Sequence, residues 1–258
     1  MIKLSVYVVT LNEEKRLGRT LKAASEVADE ILIVDSGSVD KTKDIALEYG
    51  AKFLFHPWES YCAQKSFAEK QCANDWVLLL DADEVLSDKL IAEIKRIKET
   101  EPDFQAYRVK ICNMFPEDKK PRVFAQIFNA IRLYNRRFAH MPAELMNKDR
   151  IQVRSGIKIG QLKQKICHYC FISLEQSVQK YNRHSSELLK TAIAENRSFS
   201  KFRLYTEFPR QFIRYYFFKR YCLLGFRGFI QSMVLANFRF LKIAKWFEWK
   251  ALSKKKPD

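Results

Sequence analysis

Three uncharged, mostly apolar runs set the pattern of the first half of the chain: Leu4-Ser5-Val6-Tyr7-Val8-Val9, Ile31-Leu32-Ile33-Val34 and Trp76-Val77-Leu78-Leu79-Leu80. They are short and do not alternate, which predicts strands buried on both faces, as in a parallel sheet. Between them the spacing turns helical. Leu17, Leu21 and Ala24 predict a helix over about Arg16 to Ala28, with Asn12 as its N-cap and Glu13 and Glu14 in its first turn. Lys41 to Tyr49 reads as a second helix, closed by Gly50. With Ala51 to Phe55 as a third strand, the opening reads β-α-β-α-β, half of a doubly wound sheet.

The pattern continues beyond that half. Trp58 to Gln71 reads as loop then helix, Leu86 to Glu99 as an amphipathic helix, and Ala106 to Asn113, Ile131 to Tyr134 and Ile157 to Tyr169 as strands. Ser173 and Gln176 form a capping box at the head of a helix reaching Ile193. The expected fold is therefore α/β: a doubly wound, mostly parallel sheet with helices on both faces, plus a C-terminal helical extension. The expected divisions are residues 1–110, a ligand-binding α/β half; 111–197, a second half; and 198–258, a helical tail.

Charge changes this picture in one place. Of the net +16, the stretch Lys201 to Asp258 supplies +11, with 14 Lys/Arg against 3 Asp/Glu. Eleven of the 20 Phe lie between Phe199 and Phe247. The longest charge-free run there, Gly228 to Phe238, is eleven residues, short of the roughly 20 that span a bilayer. The expectation is in-plane helices with aromatic anchors on an anionic membrane surface, or a hairpin packed on the domain or in a homo-oligomer. Nucleic acid is disfavoured, since no recognised motif accompanies the basic and aromatic residues. Met1-Ile2-Lys3 leads straight into the first apolar run, so no secretory leader is expected. The six cysteines, Cys167 and Cys170 included, then read as reduced thiols of a cytoplasmic protein.

Candidate chemistry collects where the buried strands end. Thr10 and Asn12, Asp35, and Asp81 with Asp83 and Glu84 follow three of them. The carboxyl edge of such a sheet is where ligands bind. Asp81 and Asp83, two apart on an extended backbone, would point the same way and suit a hard cation, Mg²⁺ or Mn²⁺, better than zinc. The other reading of these acids is a helix start that opposes the dipole. Neither GxGxxG nor GxxxxGK[ST] is present, so phosphate charge would be met by a metal and by Lys/Arg.

Val9-Thr10-Leu11-Asn12-Glu13, Ile33-Val34-Asp35-Ser36-Gly37-Ser38-Val39-Asp40 and Leu80-Asp81-Ala82-Asp83-Glu84 together resemble the landmarks of glycosyltransferase family 2, with its GT-A fold. Trp58-Glu59-Ser60-Tyr61, Arg132-Leu133-Tyr134, His168-Tyr169 and Leu224-Gly225-Phe226-Arg227-Gly228 resemble its lipopolysaccharide inner-core glucosyltransferase branch. The resemblance implies a metal-dependent, inverting transfer of a sugar from a nucleotide-sugar donor to a lipid-linked glycan, such as a lipopolysaccharide core. The enzyme would be peripheral on the inner face of the plasma membrane. Thr10, Asn12, Glu13, Asp35, Lys65 and Asp81 would bind the nucleotide, and Asp83 and His168 the metal. Glu144 would be the catalytic base, although relatives carry His-Glu where this chain has Ala143-Glu144; Asp149 and Glu84 are the fallbacks. The alternatives are a nucleotidyltransferase on a similar sheet and a non-catalytic membrane- or RNA-binding module.

Overall fold

The computed structural model describes residues 2–115, 118–122, 125–143, 150–171 and 173–253. The chain divides into two compact units, Met1–Pro121 with Ile127–Cys170, and Arg122–Gln126 with Phe171–Asp258.

The first unit is an α/β layer. Its strands are β1 (Leu4–Thr10), β2 (Glu30–Asp35), β3 (Lys52–Phe55), β4 (Trp76–Asp81), β5 (Glu84–Leu86), β6 (Ala106–Asn113), β7 (Ile127–Asn135), the short ribbon β8 (Ala139–His140) and β9 (Gln152–Val153), and β10 (Ile159–His168). The main sheet has the order β3-β2-β1-β4-β7-β6-β10-β5. β3, β2, β1 and β4 run parallel, as do β6 and β10, while β4–β7, β6–β7 and β10–β5 are antiparallel. Because β2 and β4 flank β1, the chain reverses its winding between β1 and β4. Open α/β sheets bind ligands at such a switch point.

The apolar runs are continuous because both faces are covered. Val6, Val8, Ile33, Leu78 and Leu80 face one core with Leu17, Leu21, Leu90 and Ile94, from helices α1 (Leu17–Ser25) and α4 (Asp88–Glu99). Tyr7, Leu32, Val34, Val77 and Leu79 face the other. Between α1 and α4 in the chain come α2 (Thr42–Glu48) and α3 (Tyr61–Gln71). Ser60 caps α3 by accepting from the Ala63 N–H at 3.1 Å. Lys65 and Glu69 of α3, four apart and so on one side of the helix, are both buried.

Two local expectations give way. The helix expected from Leu86 starts at Asp88 behind a Ser87 cap, and Glu84–Leu86 is the edge strand β5, with Glu84 paired to His168 of β10. Asp83 therefore sits in a turn rather than on an extended strand beside Asp81. Asn12 does not cap α1: its φ is 56°, and Arg16 is the residue before the helix. The Asn12 N–H donates to Ser38 Oγ at 2.7 Å and its Oδ1 accepts from the Val39 N–H at 2.9 Å. Asn tolerates this left-handed backbone because its short amide bonds locally, and here it stitches the β1–α1 loop to the β2–α2 loop.

The second unit holds α5 (Leu174–Ala194), α6 (Lys201–Ile213) and α7 (Gly225–Ser253). A π-helical turn, Arg214–Phe218, and a 3₁₀ turn, Tyr221–Leu224, join α6 to α7. Phe212 and Tyr216 meet Phe229 edge-on at the head of α7, and Phe199 meets Trp246 near its far end, so α6 and α7 are antiparallel. Lys245 of α7 donates to the Asn182 carbonyl at 2.9 Å and to Ser185 Oγ at 2.8 Å, fastening α7 to α5.

Candidate functional site

Register places the strand ends on one rim. Thr10 is opposite Asp35, and Val9 is opposite Asp81. With neighbouring strands about 4.8 Å apart, the ends of β2, β1 and β4 form a continuous edge at the switch point. What occupies that edge is a set of acids, each already held by the protein.

Asp35 is 3% exposed. Its Oδ1 accepts from the Gly37 and Ser38 N–H groups at 2.8 and 2.7 Å. Its Oδ2 accepts from Thr10 Oγ1 at 2.8 Å and Ser38 Oγ at 2.5 Å. Gly37 has φ 106°, a backbone that L side chains rarely adopt, and so allows the turn to fold back on the carboxylate. Four donors fill the lone pairs of one carboxylate. Asp35 thus organises the β2–α2 turn, and a ligand N–H reaches it by displacing one of those donors.

Asp81 ends β4 with 32% of its side chain exposed. The Lys65 ammonium sits 2.8 Å from its Oδ1, and Arg132 Nη2 is 3.1 Å from its Oδ2. Burial opposes its charge, but Lys65 and Arg132 overcome that and hold the carboxyl well below the usual range. Lys65 is itself 1% exposed, so it reaches the rim through Asp81. Arg132 also donates to Glu84 at 2.6 Å, and the Asp81 N–H donates to the other Glu84 oxygen at 3.0 Å. Glu84 is wholly buried, which pushes its carboxyl up to about 7 against the pull of Arg132. It has no surface toward solvent and is not placed to deprotonate an acceptor.

Asp83, 9% exposed at its side chain, lies between two other cations. Arg16 Nη1 is 2.8 Å from its Oδ2, and His168 Nε2 is 3.3 Å from its Oδ1. Glu13 holds the far side of Arg16, accepting from Nε at 2.7 Å. The Tyr169 N–H donates to the Asp83 carbonyl at 2.8 Å, which brings the end of β10 onto this turn. His168 Nδ1 is 3.1 Å from Asn113 Oδ1. Burial disfavours the imidazolium, but Asp83 outweighs it and raises the His168 pKa. Burial likewise opposes the Asp83 charge, and His168 and Arg16 lower its pKa.

Four of the acids, Glu13, Asp81, Asp83 and Glu84, are thus each paired within the protein, to Arg16, Lys65, Arg132 or His168. Asp35, the fifth acid of the rim, is met by uncharged donors instead. Among the described residues no three His, Cys, Asp or Glu converge as a ready metal site. Asp83 and His168 nevertheless fit two adjacent places on an octahedral ion: ligand bonds of about 2.1 Å set cis donors roughly 3 Å apart, against the 3.3 Å seen. Asn113 at Nδ1 leaves Nε2 to face Asp83 and the ion. The remaining ligands of such an ion would come from phosphate oxygens and water. Glu144 and Asp149 lie outside the described residues. Arg16 and Asn113 are site residues that sequence reasoning did not single out, and Arg132 stood in a landmark without a role.

Known proteins resemble this chain over most of its length. The sequence model of glycosyl transferase family 2 matches residues 5–157, more than half of the chain. A glycosyltransferase of Rickettsia typhi is 40% identical over 95% of this chain and 87% of its own length. The lipopolysaccharide core biosynthesis glycosyltransferase LpsC of Rhizobium meliloti is 26% identical over 97% of this chain and 94% of its own. Among solved structures, S. aureus TarS 1–349 covers 100% of this chain and 93% of its own, at 16% identity and a TM-score of 0.42.

Proposed function

Since the chain belongs to glycosyl transferase family 2 and is a glycosyltransferase, we propose that it moves a sugar from a nucleotide-sugar donor to a lipid-linked glycan of the lipopolysaccharide-core class. Transfer proceeds with inversion and with Mg²⁺ or Mn²⁺. The observation that carries this reading is the shared rim of Thr10, Asp35 and Asp81 at the β1/β4 switch point, with Asp83 and His168 beside it. The likeness to LpsC over nearly the whole chain supports the acceptor class.

Each residue then has a task. Thr10, Asn12 and Glu13 line the nucleotide side, and Asp35 takes a base N–H in exchange for the Ser38 hydroxyl. Asp81, the rim acid with the most exposed side chain, accepts from a ribose hydroxyl or a metal-bound water, while Lys65 and Arg132 keep it ionised. Asp83 and His168 would hold the cation, and Arg16, now paired with Asp83, would supply positive charge for the phosphates. When bound, the divalent ion stabilises charge on the departing diphosphate. Glu144 removes the proton of the acceptor hydroxyl. The family assignment sets aside a nucleotidyltransferase and a non-catalytic module.

The enzyme works at the inner face of the plasma membrane without spanning it. No helix among the described residues is long and apolar enough to cross a membrane. The test is nucleoside diphosphate release from a panel of nucleotide sugars, with and without Mn²⁺ or Mg²⁺ and a core-oligosaccharide lipid. Release from one donor that needs both metal and acceptor is expected. Release that ignores the metal would overturn the metal role, and no release from any donor would overturn the donor class.

A further inference from the structure

The corner between α6 and α7 exposes a cluster of large apolar side chains. Phe217, Phe218, Leu223, Phe226 and Phe229 are all exposed there, Phe218 at 79% and Phe226 at 77%. They fall within one reversal of an antiparallel helix pair, so they share one end of it. Arg214, Lys219 and Arg220 are exposed among them. From Phe208 to Phe247 the chain has eight Lys/Arg and no Asp or Glu.

The corner is built rather than loose. Arg220 takes φ 59° and Gly225 φ 63°, which turns the chain twice within six residues. A Cβ at Gly228 would lie 1.8 Å from the Tyr221 carbonyl oxygen, so only glycine lets the 3₁₀ turn close onto α7. Such packing fixes the reversal and leaves its phenylalanines outward. Exposed apolar patches of this kind mark docking surfaces. A mixture of phenyl rings and cations with no acid among them complements the boundary between anionic headgroups and acyl chains.

We propose that the α6–α7 corner is a membrane-docking wedge, seating Phe217, Phe218, Leu223, Phe226 and Phe229 in an anionic bilayer surface while Arg214, Lys219 and Arg220 meet the headgroups. This localises the membrane contact of the proposed function to one reversal rather than to the whole basic tail. It rests on that reading only for the lipid-linked acceptor. The other exposed aromatic residues of α6, Phe202 and Tyr205, lie at its opposite end and take no part.

The test is flotation of the full chain with vesicles of phosphatidylglycerol and phosphatidylethanolamine, against vesicles of phosphatidylcholine. The wild type should float with the anionic vesicles. F218S/F226S should weaken that binding about tenfold per ring, the loss for partial burial of a phenyl group. R214Q/K219Q should weaken it about fivefold per charge, on anionic vesicles only. Y205S, which removes a ring exposed at 78%, should float like the wild type. All these positions are exposed, and circular dichroism should be unchanged. Any of three results would overturn the wedge: a wild type that does not float, F218S/F226S floating undiminished, or F218S/F226S splitting a dimer into monomers. The last would show that the corner covers a second copy. Donor turnover in lipid-free solution reads the transferase chemistry separately, and the corner variants should leave it unchanged.

Discussion

Replacing Arg132 with methionine removes the cation shared by Asp81 and Glu84 while keeping an unbranched side chain. Arg132 is 8% exposed at its side chain and sits 3.1 Å from Asp81 and 2.6 Å from Glu84. Asp81 keeps Lys65 on its other oxygen, so Glu84 bears the loss. Breaking a buried ion pair by removing one partner costs about 3–5 kcal/mol. Glu84 escapes part of that by taking a proton, since burial already drives its carboxyl up to about 7. The expected loss at neutral pH is therefore about 2–4 kcal/mol, read by urea unfolding followed through tryptophan fluorescence and circular dichroism. E84Q in the same background removes the stranded acid. It should recover at least about 1.5 kcal/mol, a coupling far above that of independent sites. A loss below about 0.5 kcal/mol, the scale of exposed pairs, would refute a buried Arg132 clamp. So would additive single and double variants.

Other expectations follow from the same contacts. D83N should lose metal-dependent nucleotide binding in a calorimetric titration, because it removes the carboxylate that faces His168; unchanged binding takes Asp83 out of the metal site. E144Q should bind donor normally but turn over about 10²–10⁴-fold more slowly, the usual weight of a general base; full activity would move the base to Asp149. D35N turns one acceptor of four internal donors into a donor and should cost about 1–3 kcal/mol, measurable as a lowered urea midpoint. Glu207 of α6 is held below its ordinary value: burial raises it, but Arg210, Gln211 and Arg203 more than compensate. Its stabilisation is present above the unfolded value of 4.5 and is lost as pH falls through the lower folded value. Wild type should lose more stability than E207Q between pH 6 and pH 3, and parallel thermal melts would contradict the pairing.

How legible the fold was depends on the kind of residue. β1, β2 and β4 could be read directly because both faces are buried, so each strand is a continuous apolar run. β5 could not: three residues carry no periodicity, and Glu84 looks like the acid of a helix start although it faces His168 across β5 and β10. The rim acids were legible as strand ends and Lys65 and His168 were named through the family resemblance, whereas Arg16 and Arg132 were given no site role. Arg16 and Arg132 reach Asp83 and Asp81 from 67 and 51 positions away, and an arginine in sequence most often marks solvated surface. Lys65 read as a ligand contact, but its burial between α3 and the sheet makes it the counter-ion of Asp81. Asn12 had the composition of a cap, and only its backbone angle reveals a tie between two loops.

The pairing of Glu13, Asp81, Asp83 and Glu84 with cations of the protein has a direct thermodynamic consequence. If Asp83 and His168 hold the proposed cation, a bare divalent ion would have to compete with Arg16 for Asp83, whereas an ion carrying a diphosphate would bring a counter-charge for Arg16. The decisive measurement is Mn²⁺ affinity by calorimetry, with and without the cognate nucleoside diphosphate. Binding should be weak for either alone and at least about tenfold tighter for the pair, a coupling of about 1.4 kcal/mol. Equal Mn²⁺ affinity in both conditions would contradict a cation site completed by the nucleotide at this rim.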